Sequence, residues 1–264
     1  MDNVKEKSTQ KSATLDQKVL LKAYALMCTA RRMAELYDEQ RDICTKYVHS
    51  TSRGHEAIQL AAGLQLKPYD YASLYYRDES MLLGMGLRPY ELMLQLMAKR
   101  DDPFSGGRTY YGHPSLKREG FPTIPHQSSA TGMQAIPATG MAHGLAYLES
   151  QKLLTGKQKP IVLCSLGDGS VTEGEVAEAF QMAVLKRLPI LYLVQDNHWG
   201  ISATGDEMRA MDAYEYAAGF KGLTRMRVDG ADFADSYTGL NKAIDLVRKK
   251  RVPVLVHATC PLLG

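Results

Sequence analysis

The run "LCSLGDGSVTEGEV", residues 163–176, begins as an apolar segment, reaches Gly167-Asp168-Gly169 and then turns polar and acidic. The next apolar run, "PILYLVQDNHWGIS" (189–202), ends in a similar way on Asn197. Short, continuous apolar runs bounded by glycine and polar residues read as strands buried on both faces. Two neighbouring strands that each finish on a side-chain oxygen predict either ordinary tight turns or one shared site where a metal holds a phosphate.

Working outward from these runs, strands are predicted at 160–166, 189–195, 224–228 and 253–258. Helical spacing fills the intervals at about 173–187, 207–219 and 232–250. Strands alternating with helices predict an α/β fold, a doubly wound, mostly parallel sheet flanked by helices. Ligands of such sheets sit outside the carboxyl ends of the strands, where Asp168 and Asn197 lie.

Upstream, residues 1–14 read as a flexible leader and 15–264 as a single domain. Helices are expected at 15–44, 54–66, 78–86, 89–99 and 132–150, with a short strand at 71–76. Residues 101–131 are rich in Gly, Pro, Ser and aromatic residues. A stretch of that length without regular structure marks a functional or disordered loop.

Composition excludes several classes. A net charge of +3 over 264 residues does not suggest a nucleic-acid footprint, which would need a concentrated basic face. The cluster "VRKKR" (247–251) reads as the basic end of a solvated helix. The four cysteines are scattered and read as free thiols in a reducing compartment. The first residues lack the apolar core of a secretory signal, and no apolar run is long enough to span a membrane, so a cytoplasmic location is expected.

Asp168 and Asn197, with a main-chain carbonyl just after Asn197, supply the hard oxygen donors that magnesium prefers alongside phosphate and water. Gly169 and Ser170 lead towards the helix expected near Glu173, where backbone amides favour an anion. The pattern is neither GxGxxG nor a P-loop, which weighs against NAD and ATP.

"GDGSVTEGE" followed by "QDNHWGIS" resembles the thiamine-diphosphate motif, and the chain resembles the α subunit of a 2-oxo acid dehydrogenase E1 component. "GHEAIQLAAGL" (54–64), "YYRD" (75–78), "HPSLK" (113–117), "SSATGMQAIPATG" (128–140) and "RVDG" (227–230) fall in the family's order. The resemblance implies a thiamine-diphosphate-binding fold in which Asp168, Asn197 and the Trp199 carbonyl hold magnesium. It also implies that Tyr76, Arg77 and the amides of Gly169 and Ser170 reach the diphosphate, and that Ser129 contacts the aminopyrimidine side. His113 matches a position near the active-site mouth. Ser128 and Gln134 match positions that bind potassium in some members, but Met133 replaces the threonine ligand, which counts against that ion. Asp196 replaces a frequent asparagine, and Trp199 a common tyrosine.

The implied activity is oxidative decarboxylation of a 2-oxo acid with acyl transfer to the lipoyl group of an E2 component. Glu173 in "SVTEGE" points to the branched-chain (2-oxoisovalerate) type, with a pyruvate or acetoin enzyme as the alternative. A β subunit, or the β half of a fused chain, is expected to supply the activating glutamate within an α2β2-type assembly. The family's catalytic histidine pair falls beyond Gly264, so the chain reads as truncated. The alternative from another class is an α/β scaffold without cofactor.

Overall fold

The computed structural model describes residues 15–44, 50–154 and 156–263; the leader expected at 1–14 lies outside them. In chain order the elements begin with α1 (Gln17–Glu39), α2 (Arg41–Cys44), α3 (Glu56–Gly63), β1 (Tyr71–Ser73), α4 (Glu79–Met85) and α5 (Pro89–Leu96). After the long loop come α6 (Ala135–Ser150), β2 (Val162–Gly167), a 3-10 turn (Asp168–Ser170), α7 (Gly174–Lys186) and β3 (Ile190–Asp196). The hairpin β4 (Trp199–Gly200) and β5 (Ala203–Thr204) leads into α8 (Gly205–Met208), α9 (Ala213–Tyr216), β6 (Thr224–Asp229), α10 (Phe233–Lys250) and β7 (Val254–Thr259).

Five strands form a parallel sheet in the order β1-β2-β3-β7-β6. Side chains alternate across the pleat, so each central strand feeds two cores. Leu163, Leu191, Leu193 and Val256 pack with Met33, Ile58, Leu92 and Leu240 from α1, α3, α5 and α10. Val162, Cys164, Ile190 and Val194 pack on the opposite face with Ala138, Phe180 and Ala213 from α6, α7 and α9. Buried Tyr192 satisfies its hydroxyl with Thr139 Oγ1 at 2.6 Å and the Ala179 carbonyl at 3.2 Å. The fold class read from the alternation is the one observed.

Local chemistry explains most ends. Asp16 accepts from the Lys18 amide, and Asp232 accepts from the amides of Ala234 and Asp235. Pro89 opens α5, where its missing N–H is no loss. The basic end of α10 departs from the solvated reading. Arg248 grips fully buried Asp70 through both nitrogens at 2.9 and 2.8 Å, and Arg251 pairs with Glu149.

Two expected helices are interrupted. The first breaks at Gln40, between α1 and α2. The second, 207–219, becomes α8, an extended Arg209 (φ −150°, ψ 140°), α9 and a 3-10 turn. Tertiary contacts of Arg209 outweigh local helical spacing there. The strand expected at 71–76 shortens to Tyr71–Ser73, because Tyr75–Asp78 folds into a turn with the Asp78 amide on the Tyr75 carbonyl. The loop at 101–131 carries no helix and only isolated bridges, Tyr71 with Thr123 and Leu116 with Ile124. Asp102 knits its start by accepting from the amides of Phe104, Ser105 and Gly107. All four cysteines are free. No helix among the described residues is long and apolar enough to cross a membrane.

Candidate active site

Parallel pairing of β2 and β3 sets Gly167 opposite Gln195, so the residues that follow each strand emerge side by side at the carboxyl edge. Asp168 opens the 3-10 turn, and Ser170 Oγ closes it on the Gly167 carbonyl at 2.7 Å. The helix α7 begins at Gly174 with Glu173 as its cap, so Gly169 and Ser170 present their amides from this turn and not from the helix itself.

Asp168 and Asp196 are bridged by one buried guanidinium. Arg209 Nη1 donates to Asp168 Oδ2 at 2.6 Å, and Nη2 donates to Asp196 Oδ1 at 2.9 Å. Burial and the neighbouring Asp196 charge push the Asp168 carboxyl above the usual range, against the pull of Arg209. Burial acts on Asp196 as well, but hydrogen bonds with His257 and Asp168 outweigh it and hold this carboxyl below the usual range. His257 Nε2 lies 2.8 Å from Asp196 Oδ2, while Arg227 Nη1 donates towards Nδ1 at 3.2 Å, which selects the Nε2–H tautomer.

Asn197 is positioned from behind. Its Nδ2 donates to His55 Nε2 at 3.3 Å, and its Oδ1 accepts from the Trp199 amide at 3.1 Å. His55 Nδ1 then donates to Gln195 Oε1 at 2.9 Å. Burial and the nearby Arg77 charge lower the imidazole to about 4, so it stays neutral. Gln195 completes the network, donating to Asp78 Oδ1 at 2.7 Å and Ser165 Oγ at 2.9 Å while accepting from Gln59 at 2.9 Å. His55 occupies the cap position of α3 without capping it. Every polar atom of the Gln195 amide is used, as a buried amide requires.

Tyr76 and Arg77 follow β1 on the same side of the sheet. Arg77 Nη1 donates to the Thr51 carbonyl at 3.0 Å, its guanidinium lies 5.7 Å from the Tyr76 ring, and the Tyr76 side chain is exposed. Gly112 lies so close that an added Cβ would sit 2.3 Å from the Tyr76 carbonyl. Its φ of +75° also favours glycine. His113 next to it shares a cavity of about 570 Å³ with Arg108, His126, Gln127, Ser128 and Ser129. Burial and the neighbouring His126 lower the His113 imidazole. The structure thus gathers Asp168, Gly169, Ser170, Asn197 and Trp199 at one pair of strand ends, and gathers Ser129 with His113 around the cavity, whose lining includes neither Asp168 nor Asn197. Gln134 is committed to the Ser165 carbonyl at 3.0 Å, and Ser128 Oγ accepts from the Ala130 amide.

The donors fit magnesium chemistry: a carboxylate, an amide oxygen and a main-chain carbonyl at adjacent strand ends. Among the described residues no cluster of three or more His, Cys, Asp or Glu side chains is arranged for a metal. Sequence reading missed Arg209, which lies in what reads as an ordinary helix. It also missed the His55–Gln195–Asp78 network. The only forewarning was a set of polar residues inside otherwise apolar strands: Ser165, Gln195 and His257.

The family model described as "Dehydrogenase E1 component" matches residues 24–260. The chain is 27% identical over 251 residues to 2-oxoisovalerate dehydrogenase subunit alpha 2, mitochondrial, of Arabidopsis thaliana, covering 95% of this chain and 50% of that protein. It is 27% identical to the pyruvate dehydrogenase E1 component subunit alpha of Rickettsia conorii, covering 90% of this chain and 69% of that one. Among solved structures, transketolase from Campylobacter jejuni superposes with a TM-score of 0.63 at 18% identity, over 93% of this chain and 38% of that one. The chain spans about half the length of the Arabidopsis relative. With a family match running almost end to end, the chain belongs to the dehydrogenase E1 component family.

Proposed function

We propose that this chain is the α-type part of a 2-oxo acid dehydrogenase E1 component, a single domain that binds the magnesium-diphosphate end of thiamine diphosphate. The observation that carries this reading is the placement of Asp168 and Asn197 at neighbouring strand ends, with Asn197 held in position from behind by neutral His55. In this role Asp168, Asn197 and the Trp199 carbonyl hold the metal, and Gly169, Ser170, Tyr76 and Arg77 hold the diphosphate. Arg77 suits this because its planar fork pairs with phosphate oxygens. Bound thiamine diphosphate supplies the carbanion chemistry of decarboxylation. The protein positions it and excludes water.

The cavity at Ser129 takes the aminopyrimidine side and the substrate, and Arg108, His113 and His126 on its wall suit an anionic 2-oxo acid. A branched-chain 2-oxo acid is the preferred substrate, with the acyl group passed to a lipoyl-bearing E2 partner. Pyruvate is the second reading, favoured by the pyruvate dehydrogenase relative at the same identity. The activating glutamate comes from a β partner. On α6 the exposed Ile136 and Tyr147, and the open space around Gly140 and Gly144, leave a face for such a partner.

The test is decarboxylation of 2-oxoisovalerate and of pyruvate by the chain with magnesium and thiamine diphosphate, alone and with a family β subunit. Turnover only with the β subunit supports the split site, and robust turnover by the chain alone overturns it. Absence of magnesium-dependent thiamine diphosphate binding under both conditions would favour a scaffold without cofactor.

A further inference from the structure

We infer that Arg209, which bridges Asp168 and Asp196, competes with a divalent cation for Asp168, so that metal binding is coupled to loosening of this bridge. This rests on the magnesium-diphosphate reading of the site. The guanidinium is almost fully buried, with its side chain 6% exposed, and it takes the Asp168 oxygen that faces it at 2.6 Å. A magnesium ion and a guanidinium on one carboxylate would place two cations a few ångströms apart with little water to screen them. That repulsion sets the two cations in competition for Asp168.

The segment that carries Arg209 also covers the diphosphate turn. An added Cβ on Gly169 would lie 3.6 Å from Gly200 Cα and 3.7 Å from Met208 Cε, so the hairpin and α8 lie over that residue with room for little more than a methyl group. Withdrawal of Arg209 with its neighbour Met208 therefore frees Asp168 and uncovers Gly169 in one movement.

The segment has the features of an element with a second arrangement. His198 and Ile201 hold φ values of +60° and +48°, a region costly for residues other than glycine. Ile201 is 95% exposed, and α8 has four residues. A Cβ at Gly205 would lie 2.7 Å from Arg209 Nη2 and 2.5 Å from His198 Nδ1, so it would crowd the bridging end of the guanidinium. Asp196 keeps its hydrogen bond with His257 Nε2 after Arg209 moves, so it is not left without a partner.

An internal cation that competes with the metal lowers apparent metal affinity by the fraction of molecules in which the bridge is broken. The test uses the full chain and manganese, followed by electron paramagnetic resonance, with inorganic diphosphate present. Wild type is compared with Arg209→Met, Gly205→Ala and Asp168→Asn. Arg209→Met is expected to bind manganese on the order of tenfold more tightly than wild type. Gly205→Ala, which keeps the charge but crowds the guanidinium, shifts affinity the same way and decides the matter if Arg209→Met does not fold. Trp199, the sole tryptophan, lies in the moving segment and provides a second signal. Magnesium with diphosphate should change its emission in wild type, and Arg209→Met should show much of that change without metal. Equal or weaker manganese binding by both Arg209→Met and Gly205→Ala overturns the inference, while the metal site stands if Asp168→Asn abolishes wild-type binding. No Asp168-dependent manganese binding in any variant overturns the site and the inference together.

Discussion

His55 and Asn197, 142 residues apart in sequence, meet through the imidazole Nε2 and the amide Nδ2 at 3.3 Å. This contact fixes which end of the amide faces the strand-end cluster. With Nδ2 committed to the imidazole, Oδ1 is the atom left on the side of the Trp199 amide. Groups that orient a metal ligand typically alter affinity by about 10–100-fold when removed. His55→Phe is therefore expected to weaken magnesium-dependent thiamine diphosphate binding by roughly tenfold, read by calorimetry with the β partner present. Unchanged affinity would show that the orientation of Asn197 does not depend on His55.

Arg77 and Arg88 provide a matched pair of substitutions. Arg77 lies at the turn after β1 beside Tyr76, whereas Arg88 occupies the residue before α5 with its side chain 73% exposed. A charge-assisted hydrogen bond contributes about 1.5–3 kcal/mol, so Arg77→Ala should weaken cofactor binding by roughly 10–100-fold. Arg88→Ala should leave it within about twofold, since surface changes are usually small. Equal effects would remove Arg77 from the proposed diphosphate site.

Glu79 is a buried carboxyl placed against the hydroxyls of Tyr37 and Tyr111. Burial raises its pKa to about 8, with the Tyr37 hydrogen bond acting in the opposite direction and Glu56 adding to the rise. The folded protein thus holds a proton that the unfolded chain gives up near the ordinary glutamate range. The stabilisation is complete below that range and is lost as pH rises towards about 8. Glu79→Gln should abolish this loss and raise stability at pH 8 by a few kcal/mol relative to wild type. Urea denaturation between pH 5 and 8 measures it, and parallel pH profiles for the two proteins would contradict the assignment.

Asp70 and Arg248 carry a different function at the opposite, amino-terminal edge of the sheet. Asp70 is fully buried and also accepts from the amides of Ile161 and Lys67. Arg248→Ala leaves this carboxylate without its cation, and breaking a buried pair costs about 3–5 kcal/mol. Thermal denaturation should show the loss, while the affinity of the remaining folded protein for thiamine diphosphate stays at the wild-type value. A large change in affinity would mean that the two edges of the sheet are coupled.

The amino-acid sequence by itself determined the central strands β2, β3 and β7, their burial on both faces and the residues that leave the carboxyl ends of β2 and β3. Those features are local: apolar runs of strand length, glycine where the chain turns, and polar residues at defined offsets. Asp168 and Asn197 were legible for the same reason, because strand order in a parallel sheet carries their spacing. Tertiary structure alone decided what surrounds them. Arg209 breaks a helical pattern to reach two carboxylates, Arg248 leaves a solvated helix end for buried Asp70, and His55 gives up a cap for Gln195 and Asn197. Each is a buried charge or polar group whose partner lies on a distant element, and such a group costs several kcal/mol unless paired. Local periodicity has no representation of that demand, so it is met only when the sheet brings the partners together.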